Sequence, residues 1–288
     1  MIKKIGKISA LCLLVASASS FAASPVWKVS KGDQTLFLGG TVHVLSQSDY
    51  PLPDAFDKAY KQAKTLAFET DLLAAQTPEF SQQLMAKMMF NDGQTLKSAL
   101  NAKTYQALEA HLSSRDVPIA NMLQFKPSMM SITLTMIELQ RLGMAGTGVD
   151  EYYFMKGQGD AKSVLTLETP AEQIDFLANL GQGQENEMIE LSLKDAKEMP
   201  EMMGKLKTAW RVGDNKALAK VALDPWVKDF PKMYNDLIVK RNNNWLPLLE
   251  KMLKTPETEL VLVGALHLVG DDGVLTLLKK KGYTIENL

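Results

Sequence analysis

The chain has 288 residues, 46% of them hydrophobic, with a formal charge of −1 and a single cysteine. That is enough apolar material for a sizeable core. It gives no support to nucleic-acid binding, which calls for a strongly basic face, and one cysteine excludes an intrachain disulfide.

Lys3, Lys4 and Lys7 are followed by an apolar run from Ile8 to Ala18 and by small residues ending at Phe21-Ala22-Ala23. This is the order of a Sec-type signal peptide over residues 1–23, cleaved near Ala22 or Ala23, which leaves one domain over 24–288. The run is too short for a permanent span, which needs about 20 apolar residues, and no later stretch approaches that length. The mature chain is therefore expected to be soluble, periplasmic or secreted, with no stable membrane insertion. Cleavage removes Cys12, and with it any thiol nucleophile or thiolate ligand. It also leaves 29 basic against 33 acidic side chains, a charge of −4.

Trp27-Lys28-Val29 before Lys31-Gly32-Asp33 predicts a hairpin with the strand Thr35-Leu36-Phe37-Leu38. Helical spacing follows over 53–63, then the strand Thr65-Leu66-Ala67-Phe68 runs into Glu69. Helices are predicted over 78–90, 102–112 and 128–142, and the strand Ser163-Val164-Leu165-Thr166-Leu167 runs into Glu168. After helices over 171–180, 187–209 and 236–253, the strand Leu260-Val261-Leu262-Val263 ends at Gly264. Apolar runs of this length predict strands buried on both faces. Their alternation with helices predicts an α/β core. The stretch 181–253 reads as a helical section packed on the sheet, with no domain boundary inside the mature chain.

The pattern repeats. Leu38-Gly39-Gly40-Thr41-Val42-His43-Val44 can be laid over Leu262-Val263-Gly264-Ala265-Leu266-His267-Leu268, and Ala67-Phe68-Glu69-Thr70 resembles Thr166-Leu167-Glu168-Thr169. Glycine at a strand end permits a sharp turn or a close backbone approach and leaves the histidine on the loop that follows. Ligands of open α/β sheets collect beyond the carboxyl ends of the strands. A single strand-end histidine is more often a buried donor to a backbone carbonyl; the duplication tips the reading toward a shared centre. His111, in Glu109-Ala110-His111-Leu112-Ser113, lacks the pattern and suits a helix end.

Two imidazoles with Glu69 and Glu168 make a nitrogen and oxygen donor set suited to zinc, manganese, cobalt or iron. An open position would lower the pKa of water, and a glutamate not bound to metal could accept its proton. Arg241 could hold a substrate carboxylate or an oxyanion; the plain alternative is an arginine paired on a helix surface. Asp150, after Gly146-Thr147-Gly148-Val149, reads as a helix N-cap, and no phosphate loop is present. Gly213 reads as a helix terminator. The methionines, Met129, Met202 and Met203 among them, read as adaptable packing.

Together Trp27-Lys28-Val29, Gly40-Thr41-Val42-His43, Tyr50-Pro51-Leu52-Pro53, Phe68-Glu69, Gly148-Val149-Asp150, Leu167-Glu168-Thr169, Ala209-Trp210, Gly213-Asp214, Arg241-Asn242 and the 263–270 segment resemble the TraB/GumN family, which includes the animal TIKI proteins. The resemblance covers nearly the whole mature chain. It implies an erythromycin-esterase-like or ChaN-like fold, a mixed central sheet flanked by helices. In the TIKI branch the two Gly-x-x-His elements are associated with manganese- or cobalt-dependent peptide cleavage, which carries over to His43 and His267 first, Glu69 and Glu168 next, and Arg241 third.

The expectation is an exported hydrolase of a peptide or other small substrate. Its divalent ion (manganese, cobalt or zinc) is held by His43, His267 and at least one glutamate; the other glutamate serves as base, and Arg241 orients the substrate. The alternatives are a non-catalytic binder of heme, metal or peptide, and a metal-free esterase-type hydrolase.

Overall fold

The computed structural model describes residues 23–288, so the expected signal peptide, apart from Ala23, lies outside the described residues. Gly32, at φ +61°, turns β1 (Val26–Lys31) back onto β2 (Gln34–Thr41), pairing Lys31 with Gln34 as the expected hairpin. A left-handed φ of this kind is open to glycine at no steric cost.

The other strands are β3 (Val44–Leu45), β4 (Thr65–Phe68), β5 (Gly146–Thr147), β6 (Ser163–Thr166), β7 (Glu259–Gly264) and β8 (Thr284–Asn287). Of the eight strands among the described residues, six form one mixed sheet in the order β6-β4-β7-β2-β1-β8. The four apolar runs make up the contiguous parallel block β6-β4-β7-β2, and β1 runs antiparallel to both of its neighbours. β3 and β5 form a separate two-residue ladder.

Burial follows position in the sheet. Every residue of β4 is buried, as are all but the last of β7. β6 departs from the expectation of two buried faces: it is the edge strand, and Val164 and Leu165 are 38% and 43% exposed. Its apolar run cannot be told from a central strand by composition, because what differs is the presence of a neighbour on the far side.

Helices Asp54–Gln62, Val149–Gly159, Lys240–Met252 and Val274–Lys280 flank the sheet. Their Phe56, Tyr153, Trp245 and Leu278 join the sheet residues in one core. Phe56 stacks on Tyr153 at 5.7 Å between ring centroids. A second apolar cluster joins helices Ala102–Ser113, Pro127–Arg141 and the first half of the 27-residue helix Glu185–Arg211 through Leu108, Leu112, Leu134, Ile189 and Leu193. The far end of that long helix belongs to the sheet core. There Trp210, 1% exposed, donates its indole N–H to the Gly40 carbonyl at 2.7 Å. The long helix thus ties the helical section to the first Gly-x-x-His element, and truncating Trp210 would cost about 3–5 kcal/mol. Gly213 ends the helix at φ +63°, as expected.

Candidate active site

Parallel pairing sets the order of the site residues. Glu168 follows β6, Glu69 follows β4, His267 follows β7 and His43 follows β2, so all four stand at the carboxyl edge of adjacent strands. At spacings of about 4.8 Å per strand they span one crevice. The two glutamate elements are bonded side by side, the Glu168 amide donating to the Glu69 carbonyl at 2.8 Å. Thr169 then starts helix Pro170–Asn179 with a capping box: its hydroxyl accepts from the Glu172 amide while the Glu172 carboxylate accepts from the Thr169 amide. That cap places Glu168 in the turn between strand and helix.

The two Gly-x-x-His elements differ locally. His43 lies in the turn between β2 and β3, whereas His267 lies within a short helix, Ala265–Leu268, rather than on a loop. Neither Gly40 nor Gly264 uses a left-handed conformation. Both are needed for close approach. A Cβ on Gly40 would stand 3.1 Å from the Ala265 Cα, so the two elements press against each other. A Cβ on Gly264 would stand 3.2 Å from Glu69 Oε1 and 3.3 Å from His43 Nε2, so glycine keeps open the space on which these side chains converge.

Each imidazole is held from behind. Asn242, 0% exposed, donates its Nδ2 to the carbonyls of His267 at 3.0 Å and Asp272 at 2.8 Å, which leaves its Oδ1 to accept the His267 Nδ1–H at 2.7 Å. His267 Nε2 therefore carries the lone pair, and it accepts from Arg241 Nη1 at 3.0 Å. Burial lowers the His267 pKa to about 4; Arg241 and His43 add to the fall and Glu69 opposes it. The ring is neutral at neutral pH.

His43 Nδ1 lies 3.2 Å from Asp150 Oδ1. The reading of Asp150 as an N-cap does not hold, because Gly148 takes that position and Asp150 sits in the first turn. Gly148 leaves room for the His43 backbone, which a Cβ would strike, and the Val149 amide donates to the Val42 carbonyl at 3.1 Å. The β3 and β5 ladder completes the contact, and together these deliver Asp150 to His43. The sequence signal was Gly-Val-Asp, where glycine marked a close backbone approach as well as a helix start. The His43 ring faces both Asp150 and Glu69, and 58% of its side chain stays reachable by solvent. Burial pulls its pKa down, but Asp150 and then Glu69 outweigh that and raise it to about 9.

Arg241 joins the parts. It follows a π-helical turn, Asn235–Val239, at the start of helix Lys240–Met252. Its Nε donates to Glu168 Oε1 at 2.7 Å, and its Nη2 to Glu168 Oε2 at 2.9 Å and Glu69 Oε2 at 2.7 Å. The guanidinium carbon lies 4.9 Å from the Phe176 ring centre and 4.8 Å from that of Trp245. This is a buried network, not a surface pair: Arg241 and both glutamates are about nine-tenths buried. With five N–H groups available to arginine, these contacts and the one to His267 leave a single Nη1–H.

Glu168 Oε1 also accepts the Trp245 indole N–H at 2.9 Å. Glu69 Oε1 accepts the Gly264 amide at 2.6 Å and stands 4.0 Å from His43 Nε2. Burial pushes the Glu69 pKa up, but His267, Arg241, His43 and the Gly264 amide hold it down to about 2. Among the described residues no three His, Cys, Asp or Glu side chains already stand at the spacing of a metal cage. His111 takes no part; it meets Glu138 at 3.1 Å in the helical section.

These features define an α/β protein in which one arginine gathers His267, Glu69 and Glu168, with His43 beside them, at the carboxyl edge of four parallel strands. The chain belongs to the TraB/PrgY/gumN family, whose model matches residues 25–287. It is similar to the uncharacterized protein YbaP of Escherichia coli (strain K12), at 24% identity over 274 residues, covering 86% of this chain and 89% of that protein. No solved structure matches it.

Proposed function

We propose that the chain is an exported, divalent-metal-dependent hydrolase that cleaves peptide bonds, with His43, His267 and Glu69 holding the ion. The observation that carries this reading is the cradle over Gly264, where a Cβ would meet Glu69 Oε1 and His43 Nε2 at 3.2 and 3.3 Å and His267 Cδ2 at 3.7 Å. The donor chemistry suits manganese, cobalt or zinc. Anchored rings with the far nitrogen turned into the site are the usual arrangement around metal-binding histidines. Three carboxylates, Glu69, Glu168 and Asp150, stand against the guanidinium of Arg241 and, in metal-free protein, a protonated His43; a dication that displaced the His43 proton would balance the excess.

When bound, such an ion supplies Lewis acidity, polarising a carbonyl and making water a nucleophile near neutral pH. The protein supplies the rest. Asn242 orients the His267 ring by a hydrogen bond, and Asp150 faces the His43 ring at ion-pair distance. Glu69, with its pKa near 2, stays ionised and is a poor proton acceptor. Glu168 grips Arg241 with both oxygens and also holds the Trp245 indole, so to act as base it must release one of these donors. Its part in this reading is to position Arg241; with His267 Nε2 given to the ion, the Arg241 Nη1 group would be released from that ring and free to donate to the oxygen on which charge develops.

One observation favours a second reading. The 3.2 Å pairing of His43 with Asp150 and its pKa of about 9 suit a general acid that needs no metal.

The test is elemental analysis of untagged mature protein loaded with manganese, cobalt or zinc, beside a His43→Ala, His267→Ala variant, followed by a peptide-library screen. Near-stoichiometric ion and hydrolysis, both lost in the variant with its circular dichroism unchanged, is the expected result. Hydrolysis that survives thorough chelation would sink the metal reading and leave the second.

A further inference from the structure

His43, Glu69, Arg241 and His267 form one wall of a cavity of about 340 Å³. The opposite walls come from the helical section and are almost wholly apolar, with Leu206, Trp210, Leu223, Trp226, Leu237 and Ile238 as the main surfaces. At roughly 30 Å³ per molecule, the cavity has room for on the order of ten waters that its apolar side cannot hydrogen-bond.

Two observations mark this cavity as a binding chamber. The described residues include two π-helical turns, Ala219–Leu223 and Asn235–Val239, and both put residues on the wall: Ala222 and Leu223 from one, Leu237 and Ile238 from the other. Such turns are rare and concentrate at functional sites. Independently, every cation on the lining is already matched. Lys207 pairs with Asp49 at 2.9 Å, Arg241 with Glu69 and Glu168 at 2.7 Å each, and His43 faces Asp150 at 3.2 Å. The chamber therefore offers apolar area beside a carboxylate-rich site and no unpaired positive group for an anion.

We propose that this chamber binds a bulky, uncharged apolar group of the substrate next to the bond that is cleaved, and that the two π-helical turns shape it. The specificity that follows is for large aromatic or aliphatic side chains, with acidic groups excluded because they would lose their hydration against Trp226 and Leu237 and face Glu69. The position relative to the cleaved bond rests on the hydrolase reading above; the occupancy of the chamber does not.

The test uses two naphthalene dyes, neutral prodan and anionic 1-anilinonaphthalene-8-sulfonate, titrated into the full mature protein. Prodan is expected to bind one to one with a blue-shifted emission, about tenfold or more tightly than the anion. Ala222→Trp, which fills the chamber, and Leu237→Gln, which keeps its size but makes its wall polar, should each weaken prodan about tenfold with circular dichroism and melting temperature retained. Wild-type protein stripped of metal by chelation should keep prodan binding even though hydrolysis is gone, which separates the two readings. Prodan binding that is absent from the wild type, or unchanged in both chamber variants, would overturn the proposal. So would a peptide screen in which hydrolysis shows no preference for bulky apolar residues, or keeps that preference in Ala222→Trp.

Discussion

The side-chain oxygen of Asn242 lies 2.7 Å from His267 Nδ1, and because the Asn242 amide nitrogen is spent on two backbone carbonyls, that contact decides which ring nitrogen faces the crevice. Asn242→Asp would let the ring gain a second proton; Asn242→Leu would leave Nδ1 and the His267 and Asp272 carbonyls without partners. Loss of such a ring anchor typically costs about 10–100-fold in metal affinity, and the unpaired groups cost about 1–3 kcal/mol of stability each. Metal titration and urea unfolding of Asn242→Leu should show both. Full metal affinity in that variant would mean that His267 does not hold the ion.

Asp150 has a matching role behind His43. In metal-free protein, Asp150→Asn removes the main influence that raises the His43 pKa to about 9 and leaves burial and Arg241 opposed by Glu69 alone. The His43 ring signals in an NMR titration should therefore move at a lower pH than in wild type. An unchanged midpoint would show that Asp150 does not govern the ring.

Gly264→Ala tests the cradle itself. The backbone there, at φ −49° and ψ 132°, is open to alanine, so strain is not expected. The added methyl would stand 3.2 Å from Glu69 Oε1 and 3.3 Å from His43 Nε2. The expected outcome is a folded protein with a near-native melting temperature that has lost metal binding and hydrolysis. Retention of both would separate the cradle from the activity.

Acid stability should report on the His111 and Glu138 pair. Burial lowers the His111 pKa below its ordinary 6.5, with Arg115 adding to the fall. A histidine of that kind contributes stability that is present above pH 6.5 and is lost as the pH falls below it, because the unfolded chain then binds the proton the folded chain refuses. Glu138 is held below its ordinary 4.5: burial opposes this, and Arg115 and His111 prevail, so its contribution is lost further down as the pH falls through its folded value. Urea unfolding between pH 7.5 and 5 should show a slope of at most about 1.4 kcal/mol per pH unit from His111. His267, also lowered, acts in the same window, so the measure is the difference between wild type and His111→Gln, whose slope should be shallower. Equal slopes would show that His111 is not refused its proton in the folded state.

The sequence by itself determined the α/β class, five of the eight strands described, the hairpin at Gly32 and four of the residues at the sheet edge; β3, β5 and β8 were not read from it. These follow from local features: apolar runs, glycine punctuation and a histidine or glutamate directly after each run. Parallel pairing did the rest for the strand-end residues, since each strand carries its terminal residue to the same edge. Only the tertiary structure decided the partners. Arg241 reads from its neighbours as a cation for a substrate carboxylate or oxyanion, or else as one paired on a helix surface; a π-helical turn and the docking of its helix bury it between two glutamates 172 and 73 positions away in the chain. Asp150 reads as a cap because the acceptor it could offer an amide is the same one it offers a histidine more than a hundred residues earlier. β6 reads as a buried strand because composition does not record which strand the sheet ends on. In each case the deciding term is a charge or a surface desolvated by a distant segment, and such a term exists only once the chain has folded.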